Sequence, residues 1–137
     1  MLCRLIAVAT ITAAVAGCTT LDPAPMTANV VTSKAFERGK GASQITDTFT
    51  FEGPIFVFAA LTWDPNQSGG HRVFEARWFN GDRLVSKQTS PSVRLTKPPY
   101  YVYFSASGLA LGAGNCHVEI VVDGLLLESK TFTVSAT

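Results

Sequence analysis

The chain has 137 residues, a formal net charge of +1, three cysteines, 47% hydrophobic and 15% charged residues. That length suits one domain with enough interior to fold without disulfide or metal staples. The near-zero charge, with no cluster of Lys and Arg, excludes a nucleic-acid binder, which gathers a basic surplus on one face.

The chain opens with a basic start, Met1 to Arg4, and an apolar run from Leu5 to Val15 broken only by Thr10 and Thr12. The run is shorter than the roughly 20 residues needed to cross a hydrocarbon core of about 30 Å as a helix, and it fits the hydrophobic region of a signal peptide. It ends in Val15-Ala16-Gly17-Cys18, where small residues precede a cysteine. This stretch resembles the lipobox of bacterial lipoproteins. The resemblance implies cleavage after Gly17 and a mature N-terminus at Cys18 carrying a diacylglyceryl thioether and an N-acyl chain. Several chains on one residue hold firmly, since each buried CH₂ contributes about 0.8 kcal/mol and a single myristoyl chain is marginal. Thr19 stands where lipoproteins retained in the inner membrane often carry aspartate, so the resemblance points to the outer membrane, facing the periplasm. The alternative is an ordinary secretory signal with a chance cysteine.

The expected layout is therefore a signal peptide over 1–17, a lipidated cysteine and flexible tether over 18–33, and a folded domain over 34–137. Loss of residues 1–17 removes one base, Arg4, and leaves ten basic against ten acidic residues. Cys3 leaves with the signal and Cys18 takes the lipid, so Cys116 has no partner within the chain. It is expected to be a buried, inert residue, the alternative being a bond to another molecule.

Thr19 to Thr32 is rich in Thr, Pro and Ala and shows no apolar period, which reads as a tether. Val30-Val31 is a candidate start for a first edge strand. Thr46 to Phe51 alternates, presenting Phe49 and Phe51 to a core. Ile55 to Trp63 is apolar on both faces. It predicts a central strand, either covered on both sides or carrying an exposed Phe56/Phe58 face. Asp64 to Gly70 is a loop of turn formers. Arg72 to Phe79 alternates again, with Phe74, Ala76 and Trp78 on one face and Val73, Glu75, Arg77 and Phe79 on the other. Asn80-Gly81 predicts a two-residue hairpin turn, and Leu84 to Lys87 the returning strand.

Trp78-Phe79-Asn80-Gly81-Asp82-Arg83-Leu84 is similar to the tryptophan-turn pattern that closes strand C of many immunoglobulin-like domains, which implies a core role for Trp78. Further strands are predicted at Ser92 to Leu95 and Tyr100 to Phe104, with Leu109 to Asn115 crossing between sheets. A last hairpin runs from Cys116 to Val122, turns at Asp123-Gly124 and returns over Leu125 to Val134. Gly114-Asn115-Cys116 lacks the tyrosine that usually opens strand F in those modules. The expected fold class is thus all-β, an immunoglobulin-like sandwich of seven or eight antiparallel strands. A strict turn at Asp123-Gly124 sets Glu119 against Glu128 and turns Phe132 away from the core, so a β-bulge between Glu128 and Thr131 is expected.

No catalytic, cofactor or metal motif stands out. Cys116 and His117 are neighbours in a strand and point to opposite faces, so they form no thiol and base pair. His71, His117 and Cys116 show no ligand spacing on one element. Asp64, Asp82 and Asp123 sit in turns, where they cap backbone donors. Trp63, Tyr100, Tyr101 and Tyr103 raise sugar stacking as a possibility, with Tyr101 and Tyr103 opposed by alternation to Tyr100, Val102 and Phe104. The sequence places a partner surface on the hairpin's outer face, around Val73, Phe79 and Val85. The expected function is a non-enzymatic interaction or accessory module of the envelope, anchored to the membrane at Cys18 and contacting an envelope protein. The alternative is carbohydrate or peptidoglycan binding through exposed tyrosines, and the third reading an enzyme whose site carries no familiar motif.

Overall fold

The computed structural model describes residues 24–137; the expected signal peptide, the lipobox-like stretch, Cys18 and the first part of the expected tether lie outside the described residues. Its strands, in chain order, are β1 (Met26–Glu37), β2 (Gly41–Ile45), β3 (Thr48–Thr50), β4 (Pro54–Trp63), β5 (Gly70–Arg72), β6 (Phe74–Asn80), β7 (Arg83–Thr89), β8 (Val93–Leu95), β9 (Tyr100–Ser107), β10 (Gly114–Val122) and β11 (Leu125–Ser135). One helical turn, α1 (Gly108–Leu111), joins β9 to β10. The strands form a four-stranded sheet, β2-β1-β4-β9, a five-stranded sheet, β3-β11-β10-β6-β7, and a small pair, β5-β8.

Alternation builds the core as expected. Ile55, Val57, Ala59, Leu61 and Trp63 of β4 point inward, as do Phe74, Ala76 and Trp78 of β6 and Cys116, Val118 and Ile120 of β10, and all are buried. Trp78 is fully enclosed and meets Phe132 edge-on at 6.1 Å. Its indole N–H donates to Gln88 Oε1 at 3.2 Å, which satisfies the one polar group it buries.

The all-β architecture matches the expectation, with differences of detail that have local causes. Among the described residues there are eleven strands rather than seven or eight, because short pieces flank the two main sheets. One pair, β3 with β11, is parallel, from Thr48↔Thr133 to Ser135↔Thr50. The tether expectation for 18–33 is corrected over 26–33. β1 begins at Met26 and pairs with β4 from Met26↔Trp63 to Ser33↔Phe56. On its other side β2 flanks it from Ser33 onward, while Val30-Val31 pairs only with β4. The apolar period of β1 is hidden because Thr32 and Ser33 are buried polar residues. Their hydroxyls donate to the carbonyls of Thr46 and Ala35, at 2.6 and 3.0 Å, so burial there needs no hydrocarbon.

The two long hairpins also shift. Asn80 is not a turn residue: it pairs with Arg83, leaving Gly81-Asp82 as the turn, with Gly81 at φ 57°. The Asn80 amide instead donates to Leu111 and Ala113 carbonyls at 2.9 and 3.1 Å, tying the hairpin to the α1 crossing. At the other end of the sheet, Val122↔Leu125 confirms the Asp123-Gly124 turn. The expected bulge exists but lies nearer that turn: Val121 meets Leu126 and Ile120 meets Glu128, so Leu127 is the extra residue. This sets Glu119 against Ser129 rather than Glu128, and returns Phe132 and Val134 to the core.

Candidate functional site

The outward side of the four-stranded sheet is aromatic because β4 carries Phe56 and Phe58, and β9 carries Tyr101 and Tyr103, on the second face. The register sets Phe58 opposite Tyr103 and Ala60 opposite Tyr101. Tyr100, Val102 and Phe104 take the inward positions and pack on the core, Tyr100 stacking on Phe74 at 6.1 Å. Phe36, near the end of β1, leans across the face. Its ring centroid lies 5.5 Å from Phe58 and 4.9 Å from Tyr103, with interplanar angles of 20° and 19°. Phe58 is only 8% exposed as a result, although it points away from the core, while Tyr101 and Tyr103 remain 67% and 54% exposed.

Beside these rings runs a groove of about 560 Å³, floored by Asn29, Val31 and Ala60 and walled by Tyr101, Tyr103 and the β1–β2 turn at Gly39-Lys40-Gly41. Gly39 and Gly41 have φ of 82° and 89°, which lets the chain reverse tightly at the rim. Lys40 is held toward Glu37 at 3.4 Å, so the rim carries a paired rather than a lone charge. Such a surface stacks on flat or apolar groups and offers tyrosine hydroxyls at its edge; it holds no arrangement of nucleophile and base.

The surface expected from the sequence, around Val73, Phe79 and Val85, is not assembled. Val85 is the extra residue of a register shift between Trp78↔Ser86 and Phe79↔Leu84, and it packs against the core. Leu84 takes the outward position opposite Phe79 and is 49% exposed. Val73 lies between β5 and β6, its N–H donating to Asp123 Oδ1 and its carbonyl accepting from Asp123 N–H, both at 2.9 Å. Between Val73 and Phe79 stand Glu75 and Arg77, paired at 2.8 Å, with Lys87 Nζ 3.4 Å from the same carboxylate. The hydrogen bond from Arg77, helped by the charges of Arg77 and Lys87 and opposed by burial, holds the Glu75 carboxyl below the usual range. Phe79 itself stacks flat on His117, with centroids 4.5 Å apart and planes 4° apart.

Cys116 is 2% exposed among inward residues, and burial pushes its thiol pKa up. His117 lies on the opposite face against Phe79, so the two make no catalytic pair. His71 is exposed in β5, opposite Arg94. Among the described residues no group of three or more His, Cys, Asp or Glu side chains comes together to hold a metal ion. Asp64 and Asp123 act as turn residues: Asp64 Oδ1 accepts from Asn66 N–H at 2.9 Å. The sequence did not mark Arg72, which is buried and donates to the carbonyls of Gly69 and Ala24 at 2.9 and 2.8 Å while its Nη1 lies 3.3 Å from Asp123 Oδ2. Phe36 also escaped notice, although an aromatic residue just before the turn formers Gly39-Lys40-Gly41 was a readable sign of a strand end.

No protein-family model matches the chain, and no curated protein sequence matches it either. Among solved structures it is similar to an immunoglobulin-like protein from Pseudomonas aeruginosa, with a TM-score of 0.50 and 14% identity over 81% of this chain and 92% of that one. The fold is immunoglobulin-like. A second similar structure is the CARDB domain of a Pyrococcus furiosus protein, solved in complex with di-metal ions, at a TM-score of 0.44 and 15% identity over 85% of this chain and 97% of that one. At such identities the likeness is one of fold. Within it, the buried tryptophan of β6 takes the core position that the Trp78 pattern implied.

Proposed function

We propose that the protein is a lipid-anchored, non-enzymatic interaction module of the bacterial envelope, held at Cys18 to the periplasmic face of the outer membrane and contacting an envelope protein through its aromatic sheet face. The observation that carries this reading is the exposure of Tyr101 and Tyr103 beside the groove that Phe36 closes. Exposed rings gathered on one face, rather than scattered singly, are the kind of surface that marks a contact site. Tyrosine suits an interface because it combines an apolar body with a hydroxyl that pairs at the rim. The opposite sheet fits the role less well, since the Glu75, Arg77 and Lys87 cluster divides its outer face. The lipobox supports the anchored location, and the immunoglobulin-like fold supports a scaffold that displays a surface rather than one that encloses a substrate.

One observation favours a second reading, a glycan or peptidoglycan strand. Tyr101 stacks on none of the aromatic partners described above and lines, with Asn29 across Ala60, an almost uncharged groove, so its face is free for a pyranose ring. Crosslinking pull-down of the anchored protein from membranes, run beside co-sedimentation with purified peptidoglycan sacculi, tests both. The double variant Tyr101→Ala, Tyr103→Ala is expected to lose the protein partners recovered with the wild type. Retention of every partner overturns the first reading; sacculus binding that disappears in the variant supports the second.

A further inference from the structure

β9 ends the four-stranded sheet, and among the described residues no strand pairs with its far side. Two hydrogen bonds fix which of its backbone groups face outward. The Thr32 carbonyl accepts from Thr46 N–H at 3.1 Å, on the β2 side of β1. Its neighbour Ser33 therefore turns its groups to β4, where its partner is Phe56. Phe56 faces β1 in return, and Ser105, opposite Phe56 in β9, faces away from the sheet. The Ser105 carbonyl confirms this, accepting from Gln88 Nε2 at 2.6 Å instead of from β4. With a strand period of two, the N–H and C=O of Tyr101 and Tyr103 point to the same open edge.

The other terminal strands of the two main sheets, β2, β3 and β7, are protected against joining a further strand. β3 has three residues; β2 has five and a left-handed Gln44 at φ 53°. β7 carries Arg83 and Lys87 and a register shift against β6. β9 runs eight residues without charge, proline or register break, and between Pro99, which lacks an N–H, and the Ser105 carbonyl, which Gln88 occupies, its outward groups are those of Tyr101 and Tyr103. A long, regular, uncharged edge is a template for another strand.

We propose that β9 is a self-association edge, through which two copies of the chain pair antiparallel about a two-fold axis at Val102. The inference rests on the reading of this face as a contact surface and names the occupant. Its register follows from what each position offers. Centred on Val102, Tyr101 meets the partner's Tyr103 and the reverse, each pair exchanging both of its N–H···O bonds. The same register sets Pro99, which has no N–H, against the partner's Ser105, whose carbonyl Gln88 already occupies. A centre at Tyr103 would set Tyr101 against that occupied carbonyl, and a centre at Tyr101 would set Tyr103 against Pro99. Only the Val102 register leaves no open Tyr101 or Tyr103 group without a partner. It also brings the outward tyrosines of the two copies together as cross-strand aromatic pairs, so that the aromatic face continues from one copy to the next.

Sedimentation equilibrium of the full chain, purified with its anchor in detergent micelles, tests this. A dimer is expected, and Tyr103→Lys should weaken it about tenfold or more by placing a charge on the edge, while Leu84→Lys on the other sheet leaves it intact. Register is tested by oxidising a mixture of Tyr101→Cys and Tyr103→Cys chains. Paired residues there have Cα atoms about 5.5 Å apart, within disulfide reach, so the mixture should crosslink where either chain alone does not. If circular dichroism shows Tyr103→Lys unfolded, the mixed disulfide decides. A chain that stays monomeric at high micromolar concentration, or a dimer that gives no mixed disulfide, overturns the proposal. A monomer whose envelope partners are still lost on Tyr101→Ala overturns self-association and leaves the proposed function standing.

Discussion

Phe36 and Tyr103 face one another at 4.9 Å with their planes 19° apart, although they come from strands that are not neighbours in the sheet. The contact spans β4 and roofs Phe58, so the outer face is a built surface rather than scattered side chains. Phe36→Ala removes that roof. It is expected to cost about 1 kcal/mol, within the range for an aromatic pair beyond its area, read as a shift of the urea midpoint, and to weaken partner recovery in a pull-down. An unchanged midpoint with unchanged binding would show that Phe36 plays no part in the face.

Trp78 anchors the interior by its edge-on contact with Phe132 and its bond to Gln88. Trp78→Ala should cost on the order of 3 to 5 kcal/mol, as large core truncations do. Leu84→Ala, at an exposed position in the neighbouring strand, should stay within about 0.5 kcal/mol of wild type. A small effect at Trp78 in thermal or urea unfolding would refute the register that buries it.

These outcomes separate what was legible in the sequence from what was not. Phe74, Ala76 and Trp78, or Ile55 to Trp63, announce themselves because strand period and apolar character coincide. Thr32 and Ser33 hide β1 because their burial is satisfied by hydroxyl bonds to carbonyls rather than by hydrocarbon. The parity of Phe132 demanded one extra residue in the last hairpin, but parity says only that a bulge exists, and Leu127 is where the pairing takes it up. Asn80-Gly81 misled for a related reason: asparagine favours turns, yet here its amide serves the α1 crossing and the turn moves one residue on. That shift and the bulge at Val85 turned one member of the expected Val73, Phe79 and Val85 surface inward. Tyr101 and Tyr103 were readable as sharing a face, but only the fold shows that Phe36 joins them.

The Glu75 carboxyl, held low by Arg77 and Lys87, makes part of the stability depend on acid. A depressed folded-state pKa contributes fully above the unfolded value and is lost as pH falls through the folded one. Urea midpoints should therefore decline below the usual carboxylate range in the wild type. In Glu75→Gln this share of the decline should vanish, with lower stability at neutral pH. Parallel curves for the two proteins would show that the pair contributes nothing; the half-buried Arg77 and exposed Lys87 ends keep the expected difference modest.

Burial of Cys116 predicts an inert thiol. In the native protein a thiol reagent should modify it slowly, at a rate that rises steeply with denaturant. Fast labelling without denaturant would place it at the surface and contradict the inward face of β10.

The central claim is that the protein meets its partners through the outer face of the β4 and β9 strands. A photo-crosslinking amino acid placed in the full chain in living bacterial cells, at Tyr101 in one strain and at Leu84 in another, tests it most directly. Both positions are exposed, on opposite sheets. The account predicts discrete crosslinked adducts from position 101 and none above background from position 84. Adducts from position 84 alone would contradict it and return the contact surface to the β6–β7 hairpin.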